Sequence, residues 1–406
     1  MSEPKVQIIS EYSRAMQRVM PFAAILPKTY ESNTRRYPTL YYLHGGFYGS
    51  FMDFLDMANI VEFTSKQEVI VVLVHGNGSW YANPYNDGKF GPPYWETYHI
   101  QELIPLVDKL FHTLARRESR AIGGCSKGGY GAFCYAARHP DLFSSVSASS
   151  APIDGPRDGL HPTILRSHGR LAENEIFYLG HRPRELAMNL QGLDIYFSLG
   201  DSTYTDEDLE RDQGIVELGV QMEKDFLAEN ENFHRVLTDL GYPHQFKIIS
   251  PGYHSWYYFE RQYENQLLFH LESFSDPPIR PVNWSFQTIE NKFSVWDWHF
   301  EVSRSGKEFL FMRNVCITGF EISGSGHLSV KTESSYLPGE PYVIRNEINE
   351  DEKVIEEKRC IADQEGSLHF QISLGEKIKP LRRSLDGVSS QSDESESHII
   401  RILPCS

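Results

Sequence analysis

Residues 124–128 have the sequence Gly-Cys-Ser-Lys-Gly, which is a Gly-x-Ser-x-Gly pattern. They follow the short apolar stretch Arg120–Gly123 and precede a helical pattern that continues to about His139. Glycines around a serine permit the tight strand-to-helix turn that presents the hydroxyl for reaction. The N–H groups at the start of the helix also favour a developing negative charge. The alternative for the bare pattern is a plain glycine-rich turn, but its position between strand and helix predicts that Ser126 is a nucleophile.

A serine hydroxyl needs a base to remove its proton, and His254 is the candidate. It lies in the loop 250–256, directly after the predicted strand Gln245–Ile249. Sites of α/β proteins form at the carboxyl ends of strands, and hydrolases of this kind have the chain order Ser, acid, His. A capping or packing histidine is the alternative. The order and the loop favour a catalytic base.

The acid of a triad holds the histidine in one tautomer and stabilises the imidazolium. The sequence predicts it in the loop after the strand Asp194–Leu199. Asp201 is the first choice because it is nearest to the strand end, and Asp206 is the second.

An oxyanion hole needs two backbone N–H donors. One is predicted at Lys127, and the other at Gly46 or Phe47, directly after the strand Leu40–Leu43. The Lys127 side chain has two interpretations: a cation that favours an anionic substrate or the oxyanion, or a solvated surface lysine, which we prefer.

Two other side chains near these motifs have a catalytic and a structural interpretation. Cys125 is interpreted as a buried structural thiol, because the elbow points that position back into the fold. His44 is not interpreted as a metal ligand, because no carboxylate or second histidine lies at ligand spacing nearby. No metal or organic cofactor is required.

A loop dense in aromatic residues follows the strand Val69–Val74 and is expected to overhang the serine. A stacking wall for an aromatic or sugar-like acyl group is one interpretation, and packing of the loop onto the sheet is the other. The predicted substrate contacts are Trp80, Tyr81, Tyr94, Trp95 and, beside the histidine, Trp256.

The elements around these residues alternate between short apolar runs and amphipathic stretches up to about residue 274. Further strands are predicted at 21–27 and 145–148, and helices at 102–115, 216–241 and 257–274. This alternation predicts a mostly parallel sheet covered by helices on both faces, in a catalytic domain over residues 1–274.

Closely spaced prolines then mark a linker over residues 275–283. From 284 to 406 the patterns alternate with period two, for example over Phe293–Val302, which predicts a small antiparallel sandwich-like β domain. Glu347–Arg359 is interpreted as a solvated turn or short helix, and the acidic stretch 389–397 as a mobile loop. Three roles stay open for this domain: glycan binding, dimerisation to a homo-oligomer, or bordering the active site.

The chain has 406 residues and a formal net charge of −16. An excess of acidic residues argues against a nucleic-acid binder and against a surface that binds anionic lipid. The five cysteines are scattered, and the N-terminal residues do not have the pattern of a secretory signal, so we expect reduced thiols in a cytoplasmic protein. No apolar run approaches the ~20 residues that span a bilayer.

Residues 37–46, 79–81, 98–105, 124–129 and 252–256 resemble the esterase D/antigen 85-like branch of α/β hydrolases. That branch includes S-formylglutathione hydrolases, feruloyl and acetylxylan esterases and siderophore esterases. The resemblance covers roughly residues 15–275. It implies an α/β-hydrolase fold, Ser126 and His254 as nucleophile and base, and a second oxyanion donor just after Gly45. The sequence departs from the branch at Lys127, where an uncharged residue is usual, and at Thr203, where the acid is common.

The sequence therefore predicts a serine esterase that works through an acyl-enzyme on a small-molecule ester of a small acyl, aromatic-acyl or acylated-sugar type. The alternatives are a hydrolase of a thioester, amide or polyester, and an inactive binding protein on the same fold.

Overall fold

The structure is a computed structural model that describes residues 5–46, 49–56, 58–86, 89, 91–157, 162–211, 214–348, 353–376 and 397–405. The chain divides into two compact units, Met1–Ile279 and Arg280–Ser406. The division falls inside the linker predicted at 275–283. The predicted mobile loop lies outside the described residues except for Ser397, which begins a strand.

An eight-stranded sheet forms the centre of the first unit, with the strand order β1-β2-β4-β3-β5-β6-β7-β8. Its strands are β1 (Lys5–Ser13), β2 (Arg18–Leu26), β3 (Thr39–Leu43), β4 (Ile70–Val74), β5 (Arg120–Cys125), β6 (Ser145–Ser149), β7 (Asp194–Gly200) and β8 (Gln245–Ile249).

Six of these strands run parallel, because β3 to β8 all pair in parallel register, whereas β1 and β2 form an antiparallel edge. The central strands β3, β4, β5 and β6 are buried over their whole length, as expected for parallel strands covered on both faces. Their carboxyl ends meet at one edge, so the loops that follow them are brought together there.

Helices connect the strands and cover both faces of the sheet. They are α1 (Met52–Leu55), α2 (Ala58–Ser65), α3 (Trp95–Thr97), α4 (Ile104–Leu110), α5 (Lys127–Arg138), α6 (Pro162–His168), α7 (Leu171–Leu179), α8 (Asp206–Arg211), α9 (Val216–Asp239) and α10 (Trp256–Ser275). The helix predicted at 102–115 is shifted towards the N-terminus by about four residues. It begins as a π-helical segment, Tyr98–Leu103, and ends at Leu110, because the next residues turn to pair with Tyr37.

The second unit contains two antiparallel sheets, which confirms the predicted β domain. One sheet has the order β10-β11-β14-β17 and the other β16-β15-β18-β13-β12-β9. The strands are β9 (Trp284–Thr288), β10 (Lys292–Val295), β11 (Trp298–Ser303), β12 (Leu310–Cys316), β13 (Gly319–Ser323), β14 (His327–Lys331), β15 (Pro341–Ile348), β16 (Lys353–Ile361), β17 (His369–Ser373) and β18 (Ser397–Pro404).

Two sequence predictions in this unit were wrong. Residues 293–302 are not one strand but the hairpin β10–β11, because Trp296 and Asp297 adopt positive φ and turn the chain. The charged stretch 347–359 is not a turn or helix; it contributes to the paired strands β15 and β16, whose charges form cross-strand pairs such as Arg345 with Glu357.

Among the described residues, no helix is long and apolar enough to cross a membrane.

Candidate active site

Ser126 stands at the tight turn between β5 and α5. Its backbone has φ 52° and ψ −129°, a conformation that side chains rarely adopt and that persists only when the surroundings enforce it. The Ser126 N–H donates to the carbonyl of Ser149 at 2.8 Å, which ties the turn to the end of β6. The helix α5 begins at the next residue, so its free N–H groups point towards the serine.

His254 reaches this serine from the loop between β8 and α10. Its Nε2 lies 2.9 Å from the Ser126 hydroxyl oxygen, a distance for direct proton transfer. The imidazole lies between the rings of Phe226 and Phe259, whose centroids are 5.5 and 5.0 Å away. Burial lowers the pKa of His254 to about 3, so the ring is neutral and able to accept a proton.

Asp201, the predicted acid, does not contact His254. Its Oδ1 accepts hydrogen bonds from the backbone and hydroxyl of Thr203, at 3.0 and 2.6 Å, and from the Gly252 N–H at 3.2 Å. Burial raises the pKa of this carboxyl, but hydrogen bonds from Ser250, Thr203 and Gly252 outweigh that effect and lower it. Asp201 therefore fastens the loop after β7 to the loop after β8. The predicted contact with the histidine is absent.

Glu223 is a buried carboxylate at the site that the sequence interpretation missed, whereas Asp206, the second choice, is exposed at the start of α8. The Glu223 Oε1 accepts hydrogen bonds from the Ser150 hydroxyl and from the Gly200 N–H, at the ends of β6 and β7. Its Oε2 is buried and has no hydrogen-bond partner among the described residues. Burial raises the pKa of Glu223 to about 7.

The face of α9 that carries Glu223 lies against the histidine. Gly219, Glu223 and Phe226 have the spacing i, i+4, i+7, which places them on one side of a helix. The Gly219 carbonyl accepts the His254 N–H at 3.3 Å, and Phe226 is one of the two rings that flank the imidazole. A Cβ at position 219 would lie 2.7 Å from the His254 carbonyl oxygen, so only glycine permits this approach. The Nδ1 of His254 is also buried without a partner in the described part of the chain.

Of the predicted oxyanion donors, Lys127 and Gly46 are among the described residues. Lys127 is the first residue of α5, where an N–H has no acceptor within the helix. The segment before Gly46 touches the nucleophile, since a Cβ on Gly45 would lie 2.8 Å from the Ser126 Cβ. Gly46 itself has φ 73°. Phe47 lies outside the described residues.

The preferred interpretation of the Lys127 side chain as solvated was wrong. Only 4% of the residue is exposed, its ammonium donates to the Asn77 carbonyl, and it lies 5.5 Å from the centroid of the Tyr81 ring. No carboxylate pairs with it among the residues that the structure describes. Burial therefore lowers the pKa of Lys127 to about 7.

Of the five predicted aromatic contacts, two pack within the scaffold. Trp80 packs on the ring of Tyr130, and Tyr81 is fully buried and donates from its hydroxyl to the His44 carbonyl at 2.7 Å. Both are part of the scaffold. The other three have different places: Tyr94 is half-buried beside α3, Trp95 lines a cavity, and Trp256 is 38% exposed at the start of α10.

The surroundings of Cys125 and His44, the two other reactive side chains near the serine, indicate structural roles. Burial raises the pKa of the Cys125 thiol to about 12, which suits an inert thiol. His44 uses both ring nitrogens, one towards the Gly45 carbonyl and one to accept the Gly76 N–H. Within the described residues, no group of three His, Cys, Asp or Glu side chains is placed to hold a metal ion.

The family model for Esterase, described as "Putative esterase", matches residues 13–270, well over half of the chain. The match contains both Ser126 and His254. The chain belongs to the Esterase family. This confirms the resemblance to the esterase D/antigen 85-like branch that the sequence motifs indicated.

Curated proteins similar to this family member are esterases as well. An esterase of Mycobacterium tuberculosis is 39% identical over 137 residues, which are 33% of this chain and 29% of that protein. An acetyl esterase of Caldicellulosiruptor saccharolyticus is 31% identical over 152 residues, 36% of this chain and 55% of that protein. The matched region thus spans less than two thirds of each of these relatives.

Solved structures agree in fold with the first unit. A ferulic acid esterase has a TM-score of 0.50 at 22% identity, over 67% of this chain and 99% of that one. A fluorophosphonate-binding serine hydrolase of Staphylococcus aureus has a TM-score of 0.51 at 19% identity, over 66% and 98% of the two chains. These structural matches show that the first unit has the α/β-hydrolase fold.

Proposed function

We propose that this chain is a serine esterase that cleaves carboxylic esters through an acyl-enzyme. The observation that carries the proposal is the 2.9 Å approach of His254 Nε2 to the hydroxyl oxygen of Ser126, which stands on a strained turn at a helix N-terminus. Nucleophile and base within hydrogen-bond reach are the arrangement that activates a serine.

In the first step the Ser126 oxygen attacks the ester carbonyl, and its proton passes to His254 Nε2. The carbonyl oxygen becomes an anion that the N–H of Lys127 and an N–H of the segment after Gly45 stabilise. The C–O bond to the alcohol then breaks, and the alcohol leaves with the proton from His254. Water repeats the attack on the acyl-enzyme with the same base, which releases the acid and restores Ser126.

For the acid of the triad we propose Glu223 in place of Asp201. The support is that His254 Nδ1 and Glu223 Oε2 are both buried without partners in the described structure, and that Gly219 and Phe226, on the same face of α9 as Glu223, contact His254. An ionised Glu223 would accept the Nδ1 proton and stabilise the imidazolium that forms during attack. The Asp201 Oδ1 already accepts three hydrogen bonds, from the loop after β7 and the loop after β8.

The substrates we propose first are esters of small and aromatic acids. Proteins named acetyl esterase and ferulic acid esterase are among those to which the chain is similar. The test is hydrolysis of p-nitrophenyl acetate and butyrate, combined with labelling by a fluorophosphonate. We expect Ser126→Ala and His254→Ala to lose activity by a factor on the order of 10⁴ or more, and Ser126→Ala to lose the label. The matched variant Ser275→Ala changes an exposed serine at the end of α10 and should keep both.

Activity that survives Ser126→Ala would overturn the mechanism. No labelling of the wild-type chain would favour an inactive binding protein on this fold. Labelling without ester cleavage would direct the search to thioesters and amides.

A further inference from the structure

A cavity of about 620 Å³ opens between the segment after β4 and the helix α6. That volume is within the usual range of small-molecule sites. Its described lining contains two arginines, Arg18 and Arg166, the amides of Asn77 and Asn86, and the indole of Trp95. No aspartate or glutamate is among the described lining residues. In a chain with 55 acidic and 39 basic residues, such a lining is unusual.

The two arginines are also without an acidic partner in the described structure. The Arg18 guanidinium contacts the Met20 sulfur at 3.3 Å and lies 5.7 Å from the centroid of the Trp95 ring. Arg166 lies exposed on α6. Some other arginines of this unit have carboxylate partners, for example Arg138 with Glu96 at 2.8 Å. Arg18 and Arg166 thus have hydrogen-bond donors available for an anion from outside.

A short contact joins this cavity to the catalytic turn. Asn77 lines the cavity, and its carbonyl accepts the hydrogen bond from the ammonium of Lys127, the residue that follows the nucleophile. The cavity wall and the first turn of α5 are therefore in direct contact.

We propose that the cavity binds a carboxylate carried by the substrate, with Arg18 and Arg166 as the residues that select it. This rests on the proposed esterase function and specifies its substrate class: esters in which the acyl or the alcohol part carries a free carboxylate. The planar guanidinium donates paired N–H groups to the two oxygens of a carboxylate, and Trp95 offers an apolar wall for the ring or chain that carries it. The overall negative charge would slow the approach of such a substrate, but the local charge would retain it.

The experiment compares pairs of esters in which one member has a free carboxylate and the other has that carboxylate as its methyl ester. On the alcohol side the pair is 4-acetoxybenzoate and its methyl ester. On the acyl side it is the mono-p-nitrophenyl ester of terephthalate and the methyl ester of that compound. We expect a higher kcat/KM for the carboxylate in at least one pair, about fivefold or more at low salt and less at 0.5 M salt. Arg18→Gln and Arg166→Gln should each lower the ratio of kcat/KM for the carboxylate to kcat/KM for its methyl ester about fivefold. The kcat/KM for the methyl esters should not change.

Arg14→Gln and Arg170→Gln are the controls, because both remove an exposed arginine outside the cavity lining. They should keep the wild-type ratio. The proposal is overturned if wild type treats both members of each pair alike, or if neither cavity variant changes the ratio while the esters are hydrolysed.

Calorimetric titration of Ser126→Ala with terephthalate separates this proposal from the esterase proposal, since it needs no catalysis. Heat of binding that disappears in the Arg18→Gln/Arg166→Gln background supports the carboxylate site even if no ester is cleaved. Absence of binding, with the methyl esters still hydrolysed by wild type, removes the carboxylate site and leaves the esterase intact.

Discussion

The two units of this protein use positive φ at non-glycine residues for different purposes. In the first unit, the non-glycine residues Asn77, Ser126, Ser150 and Ser202 have positive φ, and they follow β4, β5, β6 and β7 at the edge where the site lies. In the β domain, Trp296 and Asp297 have positive φ as the two turn residues of a hairpin. The turn conformation closes a hairpin with the twist its strands require. At the carboxyl ends of the parallel strands, it aims polar groups into one small volume.

The two units also differ in the chemistry of their buried side chains. Between the sheets of the β domain, aromatic rings such as Trp284, Trp298 and Phe300 form the core. Beside the nucleophile, the buried groups include an imidazole, a carboxyl and an ammonium, and burial shifts the pKa of each. Buried titratable groups reduce stability, and they are concentrated where chemistry requires them.

The largest effect is expected from removing the Glu223 charge, which tests whether the buried groups beside Ser126 act in catalysis. We expect Glu223→Gln to lower kcat by roughly 10²–10⁴, because an amide cannot stabilise the imidazolium. Because burial raises the pKa of Glu223 to about 7, this group is protonated below pH 7 and ionised above it. The wild-type kcat/KM should therefore rise through about pH 7, and this limb should vanish in the variant.

Asp201→Asn is the matched control for that experiment. It removes a carboxylate that joins two loops, so we expect kcat to stay within about threefold of wild type. If Asp201→Asn instead lost as much activity as Glu223→Gln was expected to lose, Asp201 would be restored as the acid.

A change in the other unit tests whether its buried rings act only in packing. Trp298 is fully buried in the aromatic core, and its ring stacks on Phe300 at 6.0 Å between centroids. We expect Trp298→Ala to lower the free energy of unfolding of the β domain by about 3–5 kcal/mol, measured by denaturant titration. Fluorophosphonate labelling of Ser126 per folded molecule should not change. A loss of labelling in folded protein would assign this core a part in the site.

The smallest expected effect concerns Lys127. Folded Lys127 loses its proton near pH 7, whereas in the unfolded chain it keeps the proton to about pH 10.5. Folding therefore opposes protonation, and the stability of wild type rises with pH between these values. We expect Lys127→Met to raise the free energy of unfolding by about 2 kcal/mol at pH 6 and by less at pH 9.

Denaturant midpoints at the two pH values measure this difference. Lys109→Met changes an exposed lysine on α4 and should show no such pH dependence. A gain from Lys127→Met that is equal at both pH values would mean that the loss of buried charge is not its cause.

Much of the fold followed from pattern alone. Strands such as β4 and β7 and the long helices α9 and α10 lie within a few residues of their predicted bounds, because continuous apolar runs and helical periodicity are local properties. The hairpin β10–β11 was missed because the alternation on either side of the turn was interpreted as one strand, although the consecutive apolar residues Val295 and Trp296 interrupt it at the turn. The strands β15 and β16 were missed because a charge-dense sequence usually indicates a solvated turn or helix. In the structure, ion pairs between the two strands balance these charges.

The sequence contains a pattern that indicates a buried position for Glu223, which the sequence interpretation did not use. Val216, Gly219, Glu223, Asn230, Phe233 and Leu237 recur at helical spacing and are all buried. A carboxylate in phase with an apolar stripe is a candidate for a buried functional group. Chain order and distance from a strand end pointed instead to Asp201, which is a loop-joining residue.

The sequence by itself determined which serine and which histidine to propose as nucleophile and base, because a Gly-x-Ser-x-Gly turn and a histidine after the last strand are set by local backbone chemistry and by chain order. Only the tertiary structure showed that the face of α9 with the buried Glu223 packs against that histidine, and that Lys127 is buried. Those outcomes depend on how α9 packs over the loop of His254 and how the segment after β4 closes on α5. Burial and desolvation arise between segments that are distant in the chain, and no local pattern contains them.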